Sequence, residues 1–333
     1  MDQAGHQIMG VTMEKGEKEQ KLKTRHEPDG LCRILSLDGG GAKGFYTLGV
    51  LKEIEAMVDC PLHQRFDLIF GTSTGAIIAS LLGLGHTVDE IHELYKAHVP
   101  TVMGKKSADD KTVALAKLVK EIFGTRTFKE VKTGIGIVTT RWMTERPMIF
   151  KGSVEQAHGR QGTFQEGFGV SIADAVQASC SAYPFFNRKF VRTAAGDEIE
   201  LVDGGYCANN PTLYAIADAI HALKHERSNI RVVSIGVGVY PEPPQGFKMW
   251  FAKKYLVSVQ LLQKTLEINT QSMDQLREIL FKDIPTIRIS DTFEKPEMAT
   301  DLMEHNLVKL NILRQKGGES FAQREQQLRT FLL

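Results

Sequence analysis

The sequence predicts an α/β fold around a mostly parallel sheet covered on both faces. Short apolar runs end in glycine turns, helical patterns follow those turns, and the two alternate along most of the chain. Composition agrees. Of the 333 residues, 42% are hydrophobic and 24% charged, which excludes a mainly disordered or collagen-like chain. The formal charge of +1 provides no global basic field for a nucleic acid polymer. Length alone allows one elaborated α/β unit or two domains, at about 150 residues per domain.

The first strand is Cys32-Arg33-Ile34-Leu35-Ser36-Leu37, which runs into Asp38-Gly39-Gly40-Gly41. Leu48, Leu51, Ile54 and Val58 then follow at helical spacing. Asp67 to Phe70 repeats the pattern, leading through Gly71-Thr72-Ser73-Thr74-Gly75 into an apolar helix from Ala76 to Leu84. Further strands are expected at Gly134 to Thr140, Met148 to Phe150, Ile199 to Val202, Arg231 to Val239 and Thr286 to Ile289. Helices are expected at Ser171 to Ser179, Thr212 to Lys224 and about Gly246 to Phe281. Residues 1–30 are polar and without apolar period, so they read as a flexible tail. The rest, 31–333, reads as one α/β domain with a helical elaboration from about 246. The glycine-rich stretch Gly152 to Gly169 reads as an extended loop, either a lid or a mobile segment. Glu297 to Leu310 and Glu319 to Leu333 read as helices that cap the sheet or join copies of the chain.

Four separated cysteines, Cys32, Cys60, Cys180 and Cys207, show neither metal-ligand spacing nor a disulfide framework, which favours a reducing, cytoplasmic setting. No apolar run approaches the roughly 18 residues of a spanning helix.

Three polar residues flanked by glycine fall at predicted strand ends, where open α/β sheets bind ligands. Gly71 to Gly75 is a G-x-S-x-G sequence between strand and helix, the setting in which a serine is presented as a nucleophile with a helix dipole behind it. The alternative is that Ser73 only caps the helix. Gly39, Gly40 and Gly41 offer backbone N–H groups to an oxyanion or a phosphate. No Walker A loop can be written there, because Lys43 is followed by Gly44. A dinucleotide fingerprint can be written, but its acidic partner would have to be Asp59, which no strand precedes. Asp203, in Leu201-Val202-Asp203-Gly204-Gly205, could serve Ser73 as a general base. A histidine triad would have to use His221, His225 or His305, and none of these lies in a glycine-flanked loop.

Taken in order, Asp38 to Gly44, Gly71 to Gly75 and Asp203 to Gly205 resemble the patatin-like phospholipase family. The run Ala178 to Phe186 and Asn209-Asn210-Pro211 add to the resemblance, which covers about residues 31–240. It implies a three-layer α/β/α fold and a Ser–Asp dyad acyl hydrolase without metal or other cofactor. Ser73 is then the nucleophile, Asp203 the base, and the N–H groups around Gly39, Gly40 and Gly41 the oxyanion hole. Gly40 to Leu51 is also similar to the effector phospholipases of bacterial anti-phage signalling, which implies activation by a cyclic dinucleotide and action at the inner face of the membrane.

Phe247 to Leu262 interleaves Phe247, Trp250, Phe251 and Tyr255 with Lys248, Lys253 and Lys254. The pattern suits a helix packed on the core or one lying at a phospholipid surface. Trp250, Tyr255 and Arg277 are candidates to stack on or pair with a nucleotide. Two rival functions stand beside the dyad hydrolase at this point: a nucleotide-binding module with phosphate loops, and a histidine-triad esterase.

Overall fold

A computed structural model describes residues 30–159, 161–242 and 253–333. Strand β1 (Cys32–Leu37) leads through a short turn into α1 (Gly44–Val58) and the one-turn α2 (Leu62–Arg65). Then come β2 (Leu68–Thr72), α3 (Thr74–Leu84), α4 (Val88–Met103) and α5 (Ala108–Phe123). They are followed by β3 (Gly134–Arg141), β4 (Arg146–Lys151), α6 (Ile172–Ser179), β5 (Lys189–Arg192) and β6 (Glu198–Asp203). Two short helices, α7 (Gly205–Ala208) and α8 (Thr212–Ala217), precede β7 (Ile230–Ile235). The chain closes with α9 (Lys253–Leu280), β8 (Thr286–Ile289), α10 (Leu307–Ala322) and α11 (Glu325–Leu332).

The fold is the expected α/β class. Strands β3, β2, β1, β7 and β8 lie side by side and parallel, with β1 in the centre. The five residues of β2 and six of β1 are all buried, as a strand covered on both faces requires. One face carries a large apolar core from α1, α3 to α6 and α10, including Phe45, Leu48, Ile78 and Phe150; a smaller cluster around Ile34, Phe70, Ile216 and Val232 fills the other.

The position of β6 creates the site. Strand β4 pairs antiparallel with β3 along Gly136 to Arg141 and so occupies one edge of it. The other edge is therefore shared: β2 takes Gly134 to Val138 and β6 takes Thr139 to Arg141. Strand β2 runs up this edge and β6 runs down it, so their C-terminal ends meet. Thr72 pairs with Val138 and Asp203 with Thr139, the next residue.

Several elements differ from the sequence expectation. Arg231 to Val239 ends as strand at Ile235, and only Val239 beyond it makes an isolated bridge, to Thr292. The helix expected over Thr212 to Lys224 widens after Ala217, where Leu223 donates to the Asp218 carbonyl five residues back. Strand β5, Lys189–Arg192, follows the aromatic pair Phe185-Phe186 and has no strand signal in the sequence. The region 152–169 contains short 3-10 turns at Val154–Gln156, Gln161–Thr163 and Glu166–Gly169, and Phe168 packs edge-on against Phe150. Glu297 to Leu310 is mostly irregular rather than helical, with only a turn at Pro296–Met298 before α10 starts at Leu307. Residues 1–29 and the lysine and aromatic positions Phe247, Lys248, Trp250 and Phe251 lie outside the described residues. Among the described residues, no helix is long and apolar enough to cross a membrane.

Candidate active site

Ser73 sits between the end of β2 and the start of α3 with φ 53° and ψ −120°, a strained conformation for any residue with a side chain. Its side chain makes no capping bond to α3. The cap reading therefore fails, and the strain belongs to a turn that holds the hydroxyl out of the helix. The turn is tight because Gly75 lies against β1: a Cβ there would run into the carbonyl oxygens of Leu37 and Asp38. The backbone is fixed from below by Ser179, whose Oγ accepts from Ser73 N at 2.9 Å and donates to the Val138 carbonyl at 2.6 Å. Thr74 is anchored by the buried Tyr95 hydroxyl, which lies 2.8 Å from Thr74 Oγ1 and 2.9 Å from its carbonyl oxygen.

Asp203 is 1% exposed at the end of β6. Its carboxylate accepts from Gly205 N at 2.7 Å, and its main chain is fixed by donation to the Ser181 carbonyl at 3.0 Å. Burial pushes its pKa up to about 7; the Gly205 N–H and the adjacent Ser73 hydroxyl oppose the rise without cancelling it. A buried carboxylate that takes or releases a proton near neutrality, beside a serine hydroxyl, is suited to general-base work.

The glycine turn closes over this pair. Gly41 adopts φ 57°, and a Cβ at that position would meet the Leu302 carbonyl oxygen. The three glycine N–H groups are not equivalent. Gly39 N donates to the Asn209 carbonyl at 3.0 Å, so it is committed to structure, which corrects the expectation that it faces an oxyanion. The N–H groups of Gly40 and Gly41 make no such bond among the described residues, and both glycines line the cavity that holds Ser73 and Asp203. That cavity, about 70 Å³, is otherwise walled by apolar side chains such as Ile77, Val102, Leu118 and Phe186, a lining suited to an acyl chain.

Asp38, 2% exposed, anchors the glycine turn to β8 through an ion pair with Arg288, whose Nη1 donates to Oδ1 at 3.0 Å and to Ser234 Oγ at 2.9 Å. Burial raises the Asp38 pKa and the arginine opposes this. Ser179, Asn209 and Arg288 all support the site, and no motif marks them. Their roles come from long-range contacts, although Ser179 and Asn209 stand inside runs that resemblance had picked out.

The rival readings lose their footing here. Asp59 is the left-handed cap at the end of α1, not the end of a second strand, so the dinucleotide fingerprint has no acidic partner. Among the described residues, no histidine lines the cavity around Ser73. His221 lies on the widened helix after α8, and the ring of His305 approaches the Met303 carbonyl at 3.2 Å. Arg277, a candidate to pair with a nucleotide, is held by Asp274 at 2.9 Å and Glu278 at 3.1 Å. The side chain of Tyr255 lies outside the described residues. No described residue of 152–169 lines the cavity either.

Comparison with known proteins agrees with the geometry. The patatin-like phospholipase family model matches residues 35–216, a span that contains the glycine turn, the elbow and Asp203. A cUMP-AMP-activated phospholipase of Escherichia coli is 72% identical over 312 residues, 94% of this chain and 97% of that one. A cGAMP-activated phospholipase of Vibrio cholerae is 25% identical over 61% of this chain and 63% of its own. The calcium-independent phospholipase A2-gamma of Oryctolagus cuniculus is 30% identical over 62% of this chain, but only 28% of that longer protein is covered. With the family model spanning more than half of its length and so near a relative along almost all of it, this chain belongs to the patatin-like phospholipases and is an ester-hydrolysing enzyme.

Proposed function

We propose that the protein removes acyl chains from membrane phospholipids by a Ser73–Asp203 dyad, and that a cyclic dinucleotide switches it on. The observation that carries the catalytic half is the meeting of β2 and β6 on one edge of β3, which places the strained serine beside a buried carboxylate of pKa about 7. In the first step Ser73 Oγ attacks the ester carbonyl carbon as its proton passes to Asp203. The carbonyl oxygen takes the negative charge and is held by Gly40 N–H and Gly41 N–H, with the positive end of α3 behind Ser73. Collapse of the tetrahedral intermediate expels the lysophospholipid alkoxide, which takes the proton from Asp203. Water, deprotonated by Asp203, then attacks the acyl-serine and releases the fatty acid, returning the proton to Ser73. No histidine is needed in this cycle. The phospholipid substrate and the need for an activator rest on the relatives, foremost the cUMP-AMP-activated phospholipase that matches 94% of this chain.

The test is hydrolysis of phospholipid vesicles by wild type, Ser73→Ala and Asp203→Asn, each with and without cyclic UMP-AMP, beside labelling with a fluorophosphonate. Release of fatty acid that requires both the dinucleotide and Ser73, with one label per chain lost in Ser73→Ala, supports the proposal. Full hydrolysis by a folded Ser73→Ala protein would overturn the dyad, and equal rates without dinucleotide would overturn the switch.

A further inference from the structure

We infer that the activator binds in the cavity behind the glycine turn, walled by α9 on its other side, and that α9 passes its signal to both catalytic loops. This rests on the reading that a cyclic dinucleotide activates the chain, and adds where it binds. The cavity holds about 460 Å³, within the roughly 300–1,000 Å³ typical of small-molecule sites. The cavity at Ser73, about 70 Å³ and apolar, is neither large nor polar enough for a dinucleotide. The two share Gly40, Leu266 and Leu302 as walls, so one cavity backs directly onto the other.

The lining matches the chemistry of a cyclic dinucleotide. Such a ligand carries two phosphodiester anions, ribose hydroxyls and two bases whose edges both donate and accept. The Glu267 carboxylate accepts from Gln263 Nε2 at 3.0 Å and has two lysines close by, Lys43 Nζ at 3.6 Å and Lys264 Nζ, shared with Glu242, at 3.9 Å. A phosphodiester in the place of that carboxylate would find the same donors already arranged, and Glu267, partly exposed, can turn to water. The carboxamides of Gln271 and Gln275 stand on the same wall with the reach and the paired donor and acceptor that base edges require. Asn209 also lines the cavity, where it is 6% exposed.

The same asparagine explains how occupancy would reach the chemistry. Asn209 Nδ2 donates to Thr270 Oγ1 on α9 at 2.7 Å and to the Gly39 carbonyl in the glycine turn at 3.2 Å. Its main-chain N donates to Asn269 Oδ1 at 2.8 Å, and Asn269 Nδ2 returns a bond to the Cys207 carbonyl at 3.2 Å. Helix α9 is thus clasped to the loop that follows Asp203 and, through Asn209, to the oxyanion turn. Lys43, at the start of α1 and paired with Glu267, is a second tie between them. A ligand that changes the position of α9 changes both loops at once.

Two substitutions on the exposed rim of α9 test this without touching the core: Gln271→Trp, which fills the cavity mouth, and Lys264→Glu, which sets a carboxylate against the phosphates. Titration calorimetry with cyclic UMP-AMP should show one site per wild-type chain. Each variant should weaken binding by about tenfold or more and raise the concentration for half-activation in proportion. Melting temperature should stay unchanged, and the turnover at saturating dinucleotide should be preserved. Wild-type affinity in both variants would overturn the site while leaving activation standing. A wild-type chain that neither binds the dinucleotide nor responds to it would overturn the activation reading itself.

Discussion

Replacing Asp203 by Asn should make the protein more stable at pH 8 while removing its activity. The carboxyl group has a pKa of about 7 in the folded chain, against 3.8 for a solvated aspartate, because burial penalises its charged form more than the Gly205 N–H and Ser73 stabilise it. At about 1.36 kcal/mol per pKa unit, this rise amounts to something on the order of 4 kcal/mol carried by the folded state once the group is ionised. The sign follows from proton binding. Between pH 4 and 7 the folded state holds a proton that the unfolded chain has lost, so wild-type stability falls as pH rises through this window and levels off above it. Below pH 4 both states are protonated and the contribution vanishes. The Asn variant keeps an acceptor for the Gly205 N–H bond of 2.7 Å and carries no charge. Urea unfolding from pH 5 to 8.5 should therefore show a wild-type midpoint that declines with pH relative to the variant. The gap should reach about 2–4 kcal/mol at pH 8 and narrow by pH 5. A gap that does not change with pH, or a wild type that gains on the variant as pH rises, would refute the assignment of this carboxyl as buried and reluctantly ionised.

Three further outcomes are expected. With saturating cyclic UMP-AMP, kcat/KM should rise about tenfold per pH unit below pH 7 and level off above it, because the base must be ionised; a limb near pH 4 would mean that Asp203 is not the base. Ser179→Ala removes the acceptor of the Ser73 N–H and leaves it buried, a loss of about 1–3 kcal/mol. It should lower kcat at least tenfold with little change in KM, Ser179→Thr should recover part of the loss, and an unchanged kcat would remove Ser179 from the elbow. Arg288→Met leaves Asp38 unpaired in the interior and should cost about 3–5 kcal/mol in urea unfolding, of which a second change, Asp38→Asn, should restore a substantial part.

The sequence shows most clearly what depends on neighbours along the chain. Leu37 and Val202 stand directly before Asp38 and Asp203, Phe70 opens the glycine turn that carries Ser73, and the alternation of apolar runs and helical patterns is enough for the α/β class. The antiparallel entry of β6 beside β3 is not written locally. Glu198 to Asp203 reads as a strand in either direction, and only pairing with Thr139 to Arg141 brings Asp203 to Ser73. Strand β5 escaped because Lys189 to Arg192 has one buried residue, Val191, and borrows its order from β6. Gly39 reads as an oxyanion donor because nothing in the sequence distinguishes one of three consecutive glycines from the next. Its N–H is claimed by Asn209, 170 residues away. Arg288 looks like any exposed strand residue until Asp38 is placed beneath it.

The same burial that makes Asp203 costly to ionise explains how a carboxylate could do the work usually given to an imidazole. An ordinary aspartate, with a pKa near 3.9, is too weak a base to take a serine proton efficiently at neutral pH, whereas histidine at about 6.5 is well placed. At about 7, Asp203 has entered the histidine range without a histidine being present. No motif encodes that shift. It comes from closing β6 over a dry edge of β3 and supplying one backbone donor rather than the two or three that would pull the pKa back down. On this reading the dyad is sensitive to hydration: a change that admitted water to Asp203 would stabilise its charged form, lower its basicity and slow attack by Ser73, even with every catalytic atom in place. The contacts that hold α9 over the loop after Asp203 are therefore placed where a small movement would alter the base itself as well as the oxyanion turn.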